Sequence, residues 1–302
     1  VYQNGARINE PLGDTVNWDL LPQSAIETLT LGGGANPLYG LNSLGGALVI
    51  EMKNGFSFEG ANLEVSAGSF GRTVSNFEIG GNNGEFAFYA NVEYFDEDGW
   101  RDYSSSDAIN FYGSLGWRQE NTEINLNFQH GESELTGHGA APIELLDLRR
   151  EAIFTGPDIT ENDMDMFGVD FSHEFNSKIS FSGNIFYREN STDAFNGDGS
   201  EFGVCSFNGS ESLIEGLEED DLEEIGLDDD DVCDSQFGNS NLMENFLNST
   251  AQALNSDDTF NIELFDGDEL SGTGILSDDA INNLSSRNQE STGADFQFTV
   301  VD

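Results

Sequence analysis

Basic residues are what this sequence has least of. Lys and Arg together number 10 against 57 Asp and Glu, for a formal net charge of -47 over 302 residues. That balance excludes a nucleic-acid partner, because phosphate backbones are held by Lys and Arg. Cysteine occurs twice, at Cys205 and Cys233, so at most one internal bridge forms, and two unrelated thiols remain the alternative. The three histidines (His130, His138, His173) show no HExxH or Cys-His spacing, and no catalytic constellation accompanies them, so the chain does not read as an enzyme. With 5 Pro against 35 Gly, turns are glycine-built and Pro-rich linkers are missing. No run of 18 apolar residues exists, so no transmembrane helix is encoded. A signal peptide is also missing and residue 1 is Val, so the chain reads as an internal segment of something longer.

What is present rules out a disordered acidic chain. Hydrophobic residues make up 37% and aromatics 11%, with 24 Phe, whereas disordered acidic chains are poor in aromatics. The self-repulsion of so many carboxylates is tolerable in high salt or where the charge sits in solvated loops.

The main signal is alternation with period two. Leu63, Val65 and Ala67 share a face opposite Asn62, Glu64 and Ser66. Phe77 and Ile79 alternate with Asn76 and Glu78, and Phe86, Phe88, Ala90, Val92 and Tyr94 with Tyr89, Asn91 and Glu93. The pattern continues through Ile109–Trp117, Ile124–Phe128, Phe167–Phe171, Ile179–Tyr187 and Ala294–Val300, for eight predicted strands. Their length approaches the 9–11 residues that cross a bilayer at a tilt. Aromatics gather at the predicted strand ends: Tyr94, Phe95, Trp100 and Tyr103 at one rim, Trp117 toward the other. Long connections (97–107, 135–163, 196–290) contrast with the tight "GSFGR" and "GWRQENTE", which predicts short turns at one end and long loops at the other. The expected fold is therefore mostly β, a partial transmembrane antiparallel barrel of about eight strands. Its apolar face would meet lipid and its polar face a wet lumen, so that Asn91→Arg would be mild. A soluble β-sandwich is the alternative that alternation alone leaves open.

The segment 196–290 is acidic and irregular. Leu213, Leu217, Leu222 and Ile225 fall near helical spacing, and "NLMENFLNSTAQALN" reads as a second short helix. The two predict an extracellular lid stapled by Cys205–Cys233. Asp228, Asp229, Asp230 and Asp231 offer carboxylates to Ca²⁺ but lack the D-x-D-x-D-G spacing of a calcium loop, so a solvated acidic surface is the competing reading. His130 and His138 bracket "GESELTG" as a loop ligand pair or as plain solvated residues. An acidic mouth would favour a neutral or cationic ligand, or an anionic one bridged by a metal ion.

The N-terminus is different: Gly-rich, mixed and compact. "VYQNGARINEP" reads as strand, Asn4-Gly5 turn, strand. "LLPQSAIETLTL" follows as a strand led by Pro22, then "GGGANPLYGLNSLGGALVIEMK", ending at Lys53 before the Asn54-Gly55 turn. Together these resemble the second half of the plug domain of TonB-dependent outer-membrane receptors. The motif positions are Gly5, Pro22, Tyr39, Gly40, Asn42, Gly45, Gly46 and Lys53. Two positions depart from that pattern: Leu31-Gly32-Gly33 stands where the family has Arg-Gly-Pro, and Met52 where it has Thr. Gly40, Gly45 and Gly46 are expected to supply positive φ and close backbone approach.

The resemblance implies a small α/β plug part at residues 1–54 and the first part of a barrel at 55–302, with 196–290 as an extracellular loop. It also implies a Gram-negative outer membrane with its lipid, and energised uptake of a scarce ligand such as a ferric siderophore, a cobalamin or a glycan. The TonB complex would act through an N-terminal segment outside this sequence. A passive channel or surface adhesin is the alternative, and would lack a plug.

Overall fold

The structure is a computed structural model. It describes residues 1–12, 14–34, 39, 43–141, 143–199, 202–207, 210–215, 259–263, 269–273 and 280–301. These fall into two compact units: Val1–Gly137 with Asp158–Phe195 and Leu284–Asp302, and His138–Pro157 with Asn196–Asn283.

The first unit holds two sheets. The smaller has four strands, β1 (Tyr2–Gln3), β2 (Ala6–Arg7), β3 (Ile26–Gly33) and β4 (Gly46–Met52), in the order β2-β1-β4-β3. Asn4 and Gly5, both at positive φ (46° and 80°), close the β1–β2 hairpin, the geometry that an Asn-Gly pair supplies at least cost. β1 then runs parallel to β4 and β4 antiparallel to β3. This segment includes two 3₁₀ turns, Trp18–Leu20 and Gln23–Ala25, the second capped by the buried Pro22.

The larger sheet, hereafter the wall, has eight strands. They are β5 (Gly60–Ala67), β6 (Thr73–Asn82), β7 (Phe86–Glu97), β8 (Ser106–Gln119), β9 (Thr122–Gly137), β10 (Asp158–Asn176), β11 (Ile179–Gly199) and β16 (Ala280–Val300). The order follows the sequence from β5 to β16, and each pairing from β5 to β10 is antiparallel. Each of the eight alternating segments is one of these strands. Residues 83–85, 120–121 and 177–178 make short turns at one end, whereas 68–72, 98–105, 138–157 and 200–279 connect strands at the other. "GSFGR" therefore lies at the long-loop end, not with "GWRQENTE". The chain enters β5 from the short-turn end, so its first turn falls at the far end.

Outward residues are apolar and bare. Leu63, Val65, Phe77, Phe88, Leu115, Leu126, Phe167 and Phe298 all expose large apolar side chains. Phe111, Phe128 and Phe167 form a ladder with centroids 5.8 and 4.8 Å apart. On β7 the band runs from Phe86 to Tyr94, about 26 Å at roughly 3.3 Å per residue. Trp117 marks its short-turn rim, while Tyr94, Trp100 and Tyr103 mark the other. Phe95 alternates to the opposite face and carries the Arg72 guanidinium over its ring at 4.8 Å. Beyond the band the outward face turns acidic, with Asp96, Asp107, Glu134 and Glu161 in direct cross-strand register.

On β6–β11 the inward face is largely buried, which corrects the expectation of a wet lumen along those strands, whereas the inward Asn62, Glu64 and Ser66 of β5 stay exposed. Asn76, Glu78, Asn91, Asn110, Gln129, Ser133, Asn162 and Thr192 are all buried, Asn91 at 0% exposure. They are covered by the N-terminal segment, whose Ala6, Ile8, Leu20, Leu21, Ala25, Ile50 and Met52 pack on Tyr89, Tyr112, Met164 and Met166 of the wall. Met52, the departure from the family's Thr, belongs to this core.

The second unit contains a short helix α1 (Ile143–Leu148) and a small cluster of Leu145 and Ala152 with Ala141 and Phe154. Among the described residues it also holds two hairpins, β12 (Phe202–Phe207) with β13 (Ser210–Glu215), and β14 (Thr259–Glu263) with β15 (Glu269–Thr273). Leu213 is thus in a strand, opposite Val204, and not in a helix. The Asn208-Gly209 pair between the strands is a hairpin signal that outweighs the helical spacing of the leucines. Leu217, Leu222, Ile225 and the second expected helix lie outside the described residues.

Candidate functional site

The functional geometry is the seam where the inner sheet meets the wall. It combines neutral amides and hydroxyls with the Asp19 and Glu93 carboxylates, and it has two ion-paired points. Gln3 Nε2 donates to Gln129 Oε1 at 2.5 Å, and Gln129 Nε2 to the Leu20 carbonyl at 2.8 Å. Ser24 Oγ donates to Glu93 Oε2 at 2.6 Å, and Asn91 Nδ2 to Asn76 Oδ1 at 2.7 Å. Asp19 accepts from Ser133 Oγ at 2.5 Å and from Asn162 Nδ2 at 3.2 Å. Each partner on the wall is an inward-facing position of the period-two pattern.

The first charged point is Lys53. Its Nζ lies 2.8 Å from Glu78 Oε2 and donates to the Ser24 carbonyl at 2.8 Å. Tyr89 Oη donates to the same Glu78 oxygen at 2.7 Å. The second is Glu10, whose side chain is 1% exposed. Asn17 and Asn190 donate to its Oε1 at 2.9 and 2.8 Å, and Gln289 to its Oε2 at 3.0 Å. Arg188 and Arg287 stand 3.9 Å away. Buried carboxylates persist only with such partners.

The motif residues fall around this seam. Gly5 needs its missing Cβ as well as its positive φ, since a methyl there would come 2.2 Å from Asn184 Nδ2. Gly46 (φ 139°) sits against the Gly32 carbonyl, 2.3 Å from where a Cβ would stand. Gly45 has open space around it and no positive φ, so the expected need for glycine there is not met. The Tyr2 hydroxyl donates to the Tyr39 carbonyl at 2.5 Å and the two rings lie 5.2 Å apart. Gly40 and Asn42 lie outside the described residues, as do Cys233 and Asp228, Asp229, Asp230 and Asp231. Cys205 is in β12. Glu10, Asp19, Ser24, Glu78 and Arg188 are seam residues that reading the motifs alone passes over. The signal that finds the wall members among them is their inward parity.

A cavity of about 490 Å³ opens along the seam between β3–β4 and the wall strands β8–β11 and β16. Glu27, Glu51, Glu123, Asp170 and Asp295 line it, together with Asn125, Asn127 and Asn184. Glu51 is held above the ordinary carboxylate range, first by loss of solvent around it and then by the Glu27 charge. The Tyr2 hydroxyl is pushed up, chiefly by burial. Among the described residues, one group has three metal-capable ligand atoms within 4.8 Å: His130, Glu132 and Asp163. His130 belongs to β9, on the outward face, with Nδ1 3.0 Å from Asp165, and is not a loop residue.

No protein-family model matches the chain, and no curated protein matches it. Solved structures do. The closed form of the ferric-catecholate import receptor Fiu from E. coli K12 superposes with a TM-score of 0.55 at 15% identity, over 68% of this chain and 30% of that one. The siderophore receptor PiuA from Acinetobacter baumannii gives 0.52 at 14% identity, over 66% and 30%. BauA, the ferric preacinetobactin receptor from Acinetobacter baumannii, gives 0.51 at 17% identity, over 70% and 33%. The chain thus spans close to a third of the length of these structures. It has the fold of a fragment of a TonB-dependent receptor, the family that its N-terminal motifs resemble.

Proposed function

We propose that this chain is part of an outer-membrane receptor that takes up a scarce ligand using energy delivered by the TonB complex. Residues 1–54 would contribute the C-terminal part of the plug, and 55–302 the first strands of the barrel, with 196–290 forming an acidic extracellular loop. The observation that carries this reading is the inverted burial of the wall. Its outward side chains form a bare apolar band about 26 Å long along β7, which at a barrel strand tilt of about 40° stands roughly 20 Å tall, the scale of the ~25 Å lipid-facing belt. Its inward polar face is covered by the N-terminal segment. A soluble sandwich would bury the apolar face instead. A passive pore would leave the polar face to water.

Plug release, and with it contact with TonB through a segment of the receptor outside this chain, would require breaking the seam. About half of its bonds join neutral groups that water can replace at about 0.5–1.5 kcal/mol each, and the rest involve a charged group at about 1.5–3 kcal/mol, so release would need work that energy delivered by TonB would supply. The ligand class that the fold likeness brings to this chain is a ferric siderophore. The test is uptake of a labelled ferric siderophore by cells whose sole such receptor is the full-length protein, with and without a protonophore. Abolition by the protonophore is expected, as is no steady conductance in planar bilayers. Undiminished uptake without a proton gradient, or an open resting pore, would overturn the reading.

A further inference from the structure

A second cluster of ionisable groups lies away from the seam, on the outward face of β9 and β10. His130 stands opposite Asp165 and Glu132 opposite Asp163, the next outward pairs after Phe128 and Phe167. Three carboxylates thus surround one imidazole. Glu132 and Asp163 are like charges set directly against each other, an arrangement that destabilises a bare sheet. The imidazole is oriented. Its Nδ1 lies 3.0 Å from Asp165 Oδ1, and an ionised carboxylate only accepts, so Nδ1 carries the hydrogen. Nε2 of the neutral ring then presents a lone pair. That atom is 3.3 Å from Glu132 Oε1, itself an acceptor. Two acceptors at this distance repel unless something positive stands between them, either a proton or a metal ion.

We propose that His130 Nε2, Glu132 and Asp163 form a binding site for a divalent ion of the Zn²⁺ class, with Asp165 as the positioning residue behind the imidazole. Spacing favours the ion. Bonds of about 2.0–2.2 Å in a tetrahedron set neighbouring ligand atoms about 3.4 Å apart, and Nε2 and Glu132 Oε1 already stand at 3.3 Å. Asp163 completes a group whose three ligand atoms all lie within 4.8 Å of one another. Glu132 and Asp163 are both exposed, so rotation of their side chains closes the remaining distance without moving the strands. The donor set favours the class. An imidazole nitrogen beside carboxylates suits Zn²⁺, whereas Mg²⁺ and Ca²⁺ take oxygen ligands. A metal-ligating histidine characteristically donates its other ring N–H to a carboxylate, which is the Asp165 contact. Charge agrees: a proton offsets one of the three carboxylates, and a divalent ion offsets two. Three protein ligands leave the fourth position to water. The site requires only β9 and β10 and does not depend on energised uptake.

The experiment is calorimetric titration of the full-length receptor in detergent with Zn²⁺, with the visible absorption of Co²⁺ reporting four-coordination. Wild type is compared with His130→Gln, Asp165→Asn and a control, Asp96→Asn/Asp107→Asn, which removes a directly opposed outward acid pair that has no histidine. His130→Gln is expected to abolish one Zn²⁺ site together with its Co²⁺ absorption. Asp165→Asn should weaken the same site about tenfold, the effect of losing a carboxylate behind a ligating imidazole. The control should retain the site. A wild type without a stoichiometric site would mean that a proton alone stands between Nε2 and Glu132. A site that persists in His130→Gln, or is lost only in the control, would place the ion elsewhere. Each of these results overturns the proposal. If His130→Gln fails to fold, diethyl pyrocarbonate labelling of the wild type, located by mass spectrometry, decides the matter. Zn²⁺ should protect His130, and labelling of His130 that Zn²⁺ leaves unchanged would likewise overturn it.

Discussion

Replacing Lys53 by Met tests whether the seam is held where the N-terminal segment joins the wall. Lys53 Nζ and Glu78 Oε2 lie 2.8 Å apart, with side chains 23% and 5% exposed. Removing one partner of a fully buried pair costs about 3–5 kcal/mol, because the other charge is left without compensation. Two features lower that figure. Lys53 retains some water, and Glu78 keeps the Tyr89 hydroxyl. The expected loss is about 2–4 kcal/mol, which corresponds to roughly 30-fold or more in the opening equilibrium of β4. Hydrogen exchange of the β4 amides in the full-length receptor reads this directly, and limited proteolysis of the inner segment provides a second readout. Lys53→Met/Glu78→Gln should recover most of the loss, since the orphaned charge is then gone. Unchanged exchange in the single variant, or a double variant more labile than the single, would refute the reasoning.

Further outcomes follow from the wall and the loop. Phe88→Arg and Phe111→Arg should each weaken membrane assembly by about 2–4 kcal/mol. Asn91→Arg should be no milder, at about 3 kcal/mol or more, because it drives a charge into the covered face beside Ser24 and Asn76; yields of heat-modifiable folded barrel rank the three. Glu10→Gln should cost about 3 kcal/mol by orphaning the buried Arg188, whereas Arg287→Gln, about a third exposed, should cost less than about 1 kcal/mol, as thermal unfolding would report. We also propose that Cys205 and Cys233 are bridged, contributing about 3–4 kcal/mol in the chain-entropy model. Mass spectrometry of non-reduced peptides from cell-derived protein should find the linked pair, and two free thiols would contradict it.

All eight wall strands were legible in the sequence because period-two alternation needs only local residues. The Asn4-Gly5 hairpin was legible for the same reason, since its φ values belong to the residues themselves. What covers the polar face was not. Asn91 and Gln129 carry the same polar signature whether they meet water or Ser24 and Gln3, and only long-range packing separates the two cases. The end at which "GSFGR" lies depends on where the chain enters β5, which no local pattern encodes. Leu213 misled because four leucine-type residues happened onto helical spacing, while the adjacent Asn208-Gly209 favoured a hairpin. Glu10 and Arg188 are 178 residues apart in sequence, and nothing local pairs them.

One face of the wall is expected to meet lipid and the other to meet the inner segment. Single nitroxide labels along β7, β8 and β9 of the full-length receptor in membranes test this, with oxygen as the lipid-phase collider and a nickel chelate as the aqueous one. Labels at Phe88, Val92, Leu115 and Leu126 should collide with oxygen and be shielded from nickel, whereas labels at Asn91, Asn110 and Gln129 should be shielded from both. Nickel access that is equal on the two faces, or oxygen access without a two-residue period, would contradict it.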